Sequence, residues 1–110
     1  MSYSPASFKA EKIMISRQQT LTTLQRFKDE TGSEYGIVSL GVFGSLARNE
    51  ANENSDVDVV IETKEVNPFQ IVHLKEHLET LLDTPVDIVR KRPRMNPFLK
   101  KQIERDAVYV

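Results

Sequence analysis

The chain of 110 residues contains no cysteine and no tryptophan, and it has few glycines and prolines. The lack of cysteine excludes disulfides and thiolate metal sites, and it suits a reducing compartment. The N-terminal residues include no apolar segment of the length a secretion signal needs, and no window approaches the about 18 apolar residues of a membrane span. We therefore expect a cytoplasmic protein.

An excess of charge of either sign is also lacking. The chain carries 15 Lys and Arg against 16 Asp and Glu, a formal net charge of -1. The chain therefore lacks an overall positive field that would draw it to nucleic acid or to an anionic membrane, and we expect any polyanion that it binds to meet a local basic patch. The length and balanced composition fit a single domain over residues 1–110, in which residues 1–12 form a loosely held arm because they show no apolar periodicity.

Helical and strand patterns alternate along the rest of the chain. Ser16 and Gln19 have the spacing of a capping box and open a helix that we expect over residues 16–31. Asn-Pro pairs at 67–68 and 96–97 predict the starts of two further helices. Apolar runs predict strands at 37–43, 57–61 and 86–89, so the order is α-β-β-α-β-α. The side chains expected to face the core from the second and third helices are Phe69, Ile71, Leu74, Leu78, Leu81, Phe98, Leu99, Ile103 and Ala107.

Acidic side chains occur where packing alone would not place them. Asp56 and Asp58 are two residues apart at the second strand and should project to the same side, because side chains alternate along a strand. Asp87 interrupts the third strand and would join them if that strand lies beside the second. Close carboxylates repel, and a divalent cation such as Mg²⁺ removes that penalty. Three carboxylates could hold two such ions.

A possible phosphate site precedes these acids. Gly44 ends the first strand and allows close approach of the backbone, and Ser45 supplies a hydroxyl at the start of a helical turn. Arg48 follows one turn later and could balance charge on a transferred group. Gly-Ser and Asp-x-Asp pairs are common individually, and the combination and its order carry the signal.

The whole pattern, Gly44-Ser45-x-x-Arg48 followed by Ser55-Asp56-x-Asp58 and a later Asp87, resembles the minimal nucleotidyltransferases of the polymerase-beta-like superfamily. The resemblance implies an α/β fold with a small mixed sheet and helices packed mainly on one face. It also implies that Gly44, Ser45, Arg48 and Ser55 bind the nucleotide. Asp56, Asp58 and Asp87 would be the catalytic residues and bind Mg²⁺, with ATP as substrate. Asn49 stands where the family commonly has glycine, and asparagine tolerates the positive φ of such a turn.

The acceptor of the nucleotide is less determined. Stand-alone members of this family often accompany HEPN proteins, helical RNases that act as toxins, so the resemblance implies an antitoxin that adenylylates a HEPN-type partner. A binding module that neutralises such a partner without catalysis is one alternative. Another is a small-molecule adenylyltransferase working as a homo-oligomer.

Two further groups of residues have simpler interpretations. His73 and His77 have the spacing of a zinc pair, but with no supporting ligand nearby we interpret them as surface histidines beside an apolar stripe. The cations at positions 90–94 suit either a solvated loop or a surface for nucleotide phosphate, RNA or an acidic partner.

Overall fold

Helices and strands alternate through the described part of the chain, which in this computed structural model comprises residues 16–50, 56–65 and 67–110. The elements in chain order are α1 (Arg17–Thr31), a 3-10 turn (Gly32–Tyr35), β1 (Ile37–Phe43), α2 (Gly44–Ala47), β2 (Val57–Thr63), α3 (Pro68–Leu82), β3 (Val86–Arg90), α4 (Pro97–Asp106) and β4 (Val108–Tyr109). Within these ranges no helix combines the length and the apolar character that a membrane crossing requires. The predicted N-terminal arm lies outside the described residues.

The three long helices begin where their capping residues indicate. The Ser16 hydroxyl accepts a hydrogen bond from the backbone N–H of Gln19 at 3.0 Å. The side-chain oxygens of Asn67 and Asn96 accept bonds from the first free N–H groups of α3 and α4, and each helix has proline in its first turn. These contacts satisfy N–H groups that have no partner within the helix, which confirms the predicted starts.

The strands form one mixed sheet in the order β3-β2-β1-β4. β1 runs antiparallel to both β2 and β4, whereas β2 and β3 are parallel. The mixed sheet and the α/β class are confirmed. β2 is two residues longer than predicted. β4 was not predicted, because a strand of two residues is too short to show an alternating apolar and polar pattern.

Helices lie mainly on one face of the sheet, as expected. α1 and α3 bury Leu24, Leu74 and Leu78 against Leu40 and Val59. On the other face α4 places Ile103 against Phe43 and Val60. α4 is the one long helix of the described residues on that face, which is also the face of the candidate site described below.

Three side chains predicted to lie in the core are exposed instead. Phe69 and Phe98 are 86% and 85% exposed, and Leu81 is also exposed. Phe69 lies five residues before the buried Leu74, and Phe98 lies five residues before the buried Ile103. Five residues turn a helix by about 140°, so both rings lie on the outer side of their helices.

Candidate active site

Two aspartates face each other across the parallel pair β2–β3. Asp58 lies directly opposite Asp87 in the strand register. Neighbouring strands are about 4.8 Å apart, and residues in register project to the same face. Val60, two residues after Asp58, packs against α4, so both carboxylates lie on the α4 side of the sheet. The condition on which Asp87 would join the other two acids, that its strand lies beside the strand of Asp58, is therefore met.

Asp58 is an unfavourably placed carboxylate. It is half-buried, and its pKa is raised above the ordinary value, first by burial and then by the negative charges of Asp87 and Asp56. Arg48 acts in the opposite direction without cancelling these effects. Asp56 itself is exposed and directly precedes β2. When these aspartates are ionised, the positive charge of Arg48 does not balance their negative charge.

The donor set fits a hard cation that also binds phosphate. In residues 16–50, 56–65 and 67–110, no three Asp, Glu, His or Cys side chains are arranged to hold a metal ion by themselves. Mg²⁺ does not require such a cage, because it commonly takes one or two carboxylates and completes its shell with water and substrate phosphates. The carboxylates of Asp58 and Asp87, opposite each other on neighbouring strands, could supply such ligands, and a bound cation would relieve the charge repulsion that helps to raise the pKa of Asp58.

The turn after β1 is built against the same carboxylate. Gly44 has a φ of 74°, in the left-handed region that favours glycine. A Cβ atom at this position would overlap the side-chain carboxylate of Asp58. The chain then enters the short helix α2, in which Ser45 is half-buried. The sequence therefore brings the predicted phosphate turn and the predicted metal ligands into contact through a glycine that no other residue can replace without displacement.

Arg48 binds two carboxylates in the structure. Its Nε donates to Oε1 of Glu50 at 2.8 Å, and its Nη1 donates to Oδ2 of Asp106 at 2.7 Å. These bonds raise the pKa of the Arg48 guanidinium, the bond to Glu50 contributing most. The Asp106 side chain is only 4% exposed and lies at the end of α4. The contact of Arg48 with phosphate stays a prediction, and it would require the guanidinium to share or leave these partners.

Asp106 is a residue that the sequence analysis missed. Its carboxylate also accepts bonds from Arg105, which lower its pKa, and the bond from Arg48 lowers it further. The residue is 58 positions from Arg48, so no local pattern could have paired them. Its position in the last turn of a helix, where an acidic residue opposes the helix dipole, was the available signal.

Four other residues that the sequence analysis singled out have different outcomes. Asn49 adopts a φ of 60°, the left-handed conformation that the sequence analysis expected it to tolerate. Ser55 lies outside the described residues. His73 is exposed as expected, but His77 is half-buried, so its placement at the surface was wrong. The His77 ring packs edge-on against Phe27 at 4.9 Å between centroids, because α3 lies next to α1.

Comparison with known proteins places this arrangement in one class. Residues 24–110 match the sequence profile of the Nucleotidyltransferase domain. A protein of Methanocaldococcus jannaschii, named provisionally as a protein adenylyltransferase, is 38% identical over 88 residues, which cover 79% of this chain and 90% of that protein. Protein adenylyltransferase MntA of Thermococcus cleftensis is 35% identical over 98 residues, covering 88% of this chain and 98% of the relative.

Solved structures share the fold. One described provisionally as a minimal nucleotidyltransferase is 32% identical with a TM-score of 0.67, covering 86% of this chain and 96% of its own. The MNT antitoxin complexed with tri-AMPylated HEPN toxin of Shewanella oneidensis gives a TM-score of 0.61 at 18% identity, covering 84% of this chain and 70% of its own. A toxin–antitoxin structure with AMP-PNP gives 0.64 at 19%, covering 86% and 72%.

The fold is that of a nucleotidyltransferase. The chain belongs to the nucleotidyltransferase domain family, and several of its relatives carry the name protein adenylyltransferase.

Proposed function

We propose that this protein transfers AMP from ATP to a hydroxyl group of a HEPN-type toxin and thereby acts as its antitoxin in the cytoplasm. The observation that carries the proposal is the register pair Asp58–Asp87 beside the Gly44 turn. This arrangement offers oxygen ligands for Mg²⁺ on rigid strands next to a backbone turn that can accept phosphate. Phosphoryl transfer depends on metal ions that hold the reacting oxygens, so these two features are central to the proposal.

The proposed roles follow the positions of the side chains. Asp58 and Asp87 would hold Mg²⁺ from adjacent strands, and Asp56 would contribute from the end of the preceding connection, with two ions in all. Bound Mg²⁺ would offset the charge of the triphosphate and of the leaving pyrophosphate. Ser45, the Gly44 backbone and Ser55 would bind the phosphates.

The transfer itself is a displacement at the α-phosphorus of ATP. The acceptor hydroxyl oxygen forms a bond to this phosphorus while the bond to the bridging oxygen of pyrophosphate breaks. The hydroxyl proton passes to a carboxylate, for which we assign Asp87, and pyrophosphate leaves. The half-buried position of Asp58 supports this chemistry, because charge interactions gain strength where water is partly excluded.

The choice of a protein acceptor is supported by the relatives. Those at 35 to 38% identity that cover most of this chain are named protein adenylyltransferases. The fold also occurs in an antitoxin whose HEPN toxin partner is tri-AMPylated. The complex with AMP-PNP supports an adenine nucleotide as donor.

The first test is transfer from ATP labelled at the α-phosphate. The protein, Mg²⁺ and an extract of its native host are incubated together, beside an Asp58→Ala variant and an Asp29→Ala control. Asp29 is an exposed aspartate on α1, away from the site, so its replacement should leave transfer unchanged.

Each outcome decides between functions. Label on a host protein with the unmutated protein and the Asp29 control, but not with Asp58→Ala, supports the proposal, and the labelled acceptor can then be identified. A labelled small molecule with no labelled protein would point to a small-molecule adenylyltransferase. No turnover by a correctly folded protein would favour a binding module that silences its partner by contact.

A further inference from the structure

A second concave site lies beside α4. It is a pocket of about 210 Å³ between α4, the segment after β3, and β4. Its apolar lining comes from Met95, Ile103, Ala107 and Tyr109. Lys91, at its rim, donates its backbone N–H to the carbonyl of Ile61, three residues along β2 from Asp58. Three residues of strand span about 10 Å, so the pocket is distinct from the carboxylate site.

The rim of the pocket is strongly basic. Lys91, Arg92 and Lys100 line it, and Glu104 is its one acidic lining residue. Six of the 15 Lys and Arg residues of the chain lie at positions 90–101, where no Asp or Glu occurs. In the described part of the chain, the ion pairs involve Arg48 and Arg105 rather than these six. A cluster in which cations outnumber acids in this way favours a negatively charged partner.

The groups that line the pocket suit an acidic peptide better than RNA. Proteins hold single-stranded RNA largely by stacking bases on exposed aromatic faces. The aromatic ring at this pocket belongs to Tyr109, and the Nζ atom of Lys91 lies over it, 5.6 Å from the centroid. The other apolar lining residues, Met95, Ile103 and Ala107, carry thioether or aliphatic groups, which suit an aliphatic side chain and add no further ring to the pocket. An apolar side chain flanked by acids matches both the pocket and its rim.

We propose that this pocket, with its basic rim, binds an acidic segment of a partner protein through one apolar side chain inserted between α4 and β4. The carboxylates on either side of that side chain pair with Lys91, Arg92 and Lys100. The negative charge of Glu104 repels any acidic residue that comes close to it. The surface is separate from the transfer site. The proposal stands on its own contacts and does not require that transfer of AMP occurs.

The test uses labelled peptides and fluorescence anisotropy with the full chain. The probe is a short peptide of Asp and Glu with one central Leu, compared with the same peptide carrying Ser in place of Leu. We expect the Leu peptide to bind at least about tenfold more tightly, because burial of one Leu side chain is worth that factor or more. Single-stranded RNA of equal charge should bind more weakly than the Leu peptide.

Variants separate the pocket from its rim. Lys91→Ser combined with Lys100→Ser should weaken binding of both peptides, and Glu104→Gln should strengthen it. Lys75→Ser is the matched control, because Lys75 is an exposed lysine on α3. Ala107→Leu fills the pocket and should abolish the difference between the Leu and Ser peptides while leaving the charge-dependent part. Thermal unfolding of each variant checks that it is folded.

Two results would overturn the proposal. Equal binding of the Leu peptide, the Ser peptide and the RNA would reveal a surface that attracts any polyanion. Absence of peptide binding at low salt, with the unmutated protein folded, would show that the pocket has no such ligand. Because neither measurement uses ATP, failure here and failure of the transfer assay are distinguishable.

Discussion

Asp58 and Asp106 are both shielded aspartates near the same turn, yet their surroundings have opposite effects. The pKa of Asp58 is raised by burial and by the neighbouring acids Asp87 and Asp56. The pKa of Asp106 is lowered, chiefly by hydrogen bonds from Arg105 and then from Arg48. One carboxylate is destabilised in its ionised form and the other is stabilised.

The difference is the one expected between a structural carboxylate and a functional one. A carboxylate whose negative charge is balanced by hydrogen bonds from neighbouring side chains contributes to stability, and these partners occupy the oxygens that a ligand would need. A carboxylate that the fold leaves uncompensated costs stability, and such a cost is typical of functional sites. Arg48 stands between the two regions, because it bonds to Asp106 and also acts on Asp58 electrostatically.

The largest expected contrast comes from the same replacement at both positions. Asp58→Asn should reduce transfer of labelled AMP by at least about a hundredfold, as expected when one electrostatic stabiliser is removed. The same variant should raise the Tm in the absence of Mg²⁺, because it removes a half-buried charge that lacks a partner. Asp106→Asn should lower the Tm, because it removes a carboxylate that bonds to two arginines.

Addition of Mg²⁺ and ATP sharpens that contrast. These ligands should raise the Tm of the unmutated protein and of Asp106→Asn, but not that of Asp58→Asn, since a ligand stabilises only a fold that binds it. If Asp58→Asn unfolds at a lower temperature than the unmutated protein without ligand, the distinction between the two aspartates is wrong.

Replacement of Gly44 should damage both stability and activity. Gly44→Ala places a Cβ atom on the Asp58 carboxylate and forces a left-handed φ on alanine. We expect a loss of about 1–3 kcal/mol in the free energy of unfolding and a fall in transfer. Gly32→Ala is the control, because Gly32 has a φ of -55° and a Cβ atom there would meet only ordinary contacts. Urea unfolding that shows equal losses for the two variants would contradict the assignment of strain to Gly44.

The role of Arg48 can be resolved by a double-mutant cycle with Asp106. If Arg48 acts by fixing the turn to α4, Arg48→Lys and Asp106→Asn should each lower kcat several-fold, and the double variant should be no worse than either single one. Glu50→Gln should have a smaller effect, because the Glu50 side chain is 64% exposed. A rise in KM for ATP in Arg48→Lys, with no change in Asp106→Asn, would instead place Arg48 on the phosphates.

Acid titration gives a smaller contrast with opposite signs. Between the ordinary value of 3.8 and its raised folded pKa, Asp58 binds more proton in the folded state, so stability falls as pH rises through that window. Asp106 has a folded pKa below 3.8, so its contribution is present above 3.8 and is lost as pH falls through the folded value. We therefore expect the plot of urea midpoint against pH to lose part of its slope in each variant: above pH 3.8 in Asp58→Asn and below pH 3.8 in Asp106→Asn. An unchanged profile in both variants would contradict these shifts.

Local patterns were sufficient for most of the fold and for the carboxylate pair. Caps at Ser16, Asn67 and Asn96 fixed the helix starts, and acids inside apolar strands marked Asp58 and Asp87. Each of these signals depends on a few neighbouring residues, so it can be recognised from the sequence alone. The register that places Asp58 opposite Asp87 was only a condition in the sequence analysis, since strand pairing depends on the whole sheet.

The partners of Arg48 and the pocket beside α4 could not be predicted. Both depend on where α4 crosses the sheet, which is decided by the packing of Ile103 on Phe43 and Val60. The exposure of Phe98 follows from the same crossing. Long-range packing of this kind leaves no local periodicity to detect.

Asn49 gives the smallest expected effect, and it tests whether the two aspartate regions are independent. Asn49 has a φ of 60° between Arg48 and Glu50, so strain here should act first on the bond from Arg48 to Asp106. Asn49→Gly should change the free energy of unfolding by less than about 0.5 kcal/mol, because relief of the left-handed φ is offset by a more flexible unfolded chain. Asn49→Ala should cost about 1 kcal/mol, since alanine lacks the tolerance of asparagine for this conformation. Both variants should keep the Tm increase with Mg²⁺ and ATP, and loss of that increase in Asn49→Ala would show that the Arg48 turn and the Asp58 site are coupled.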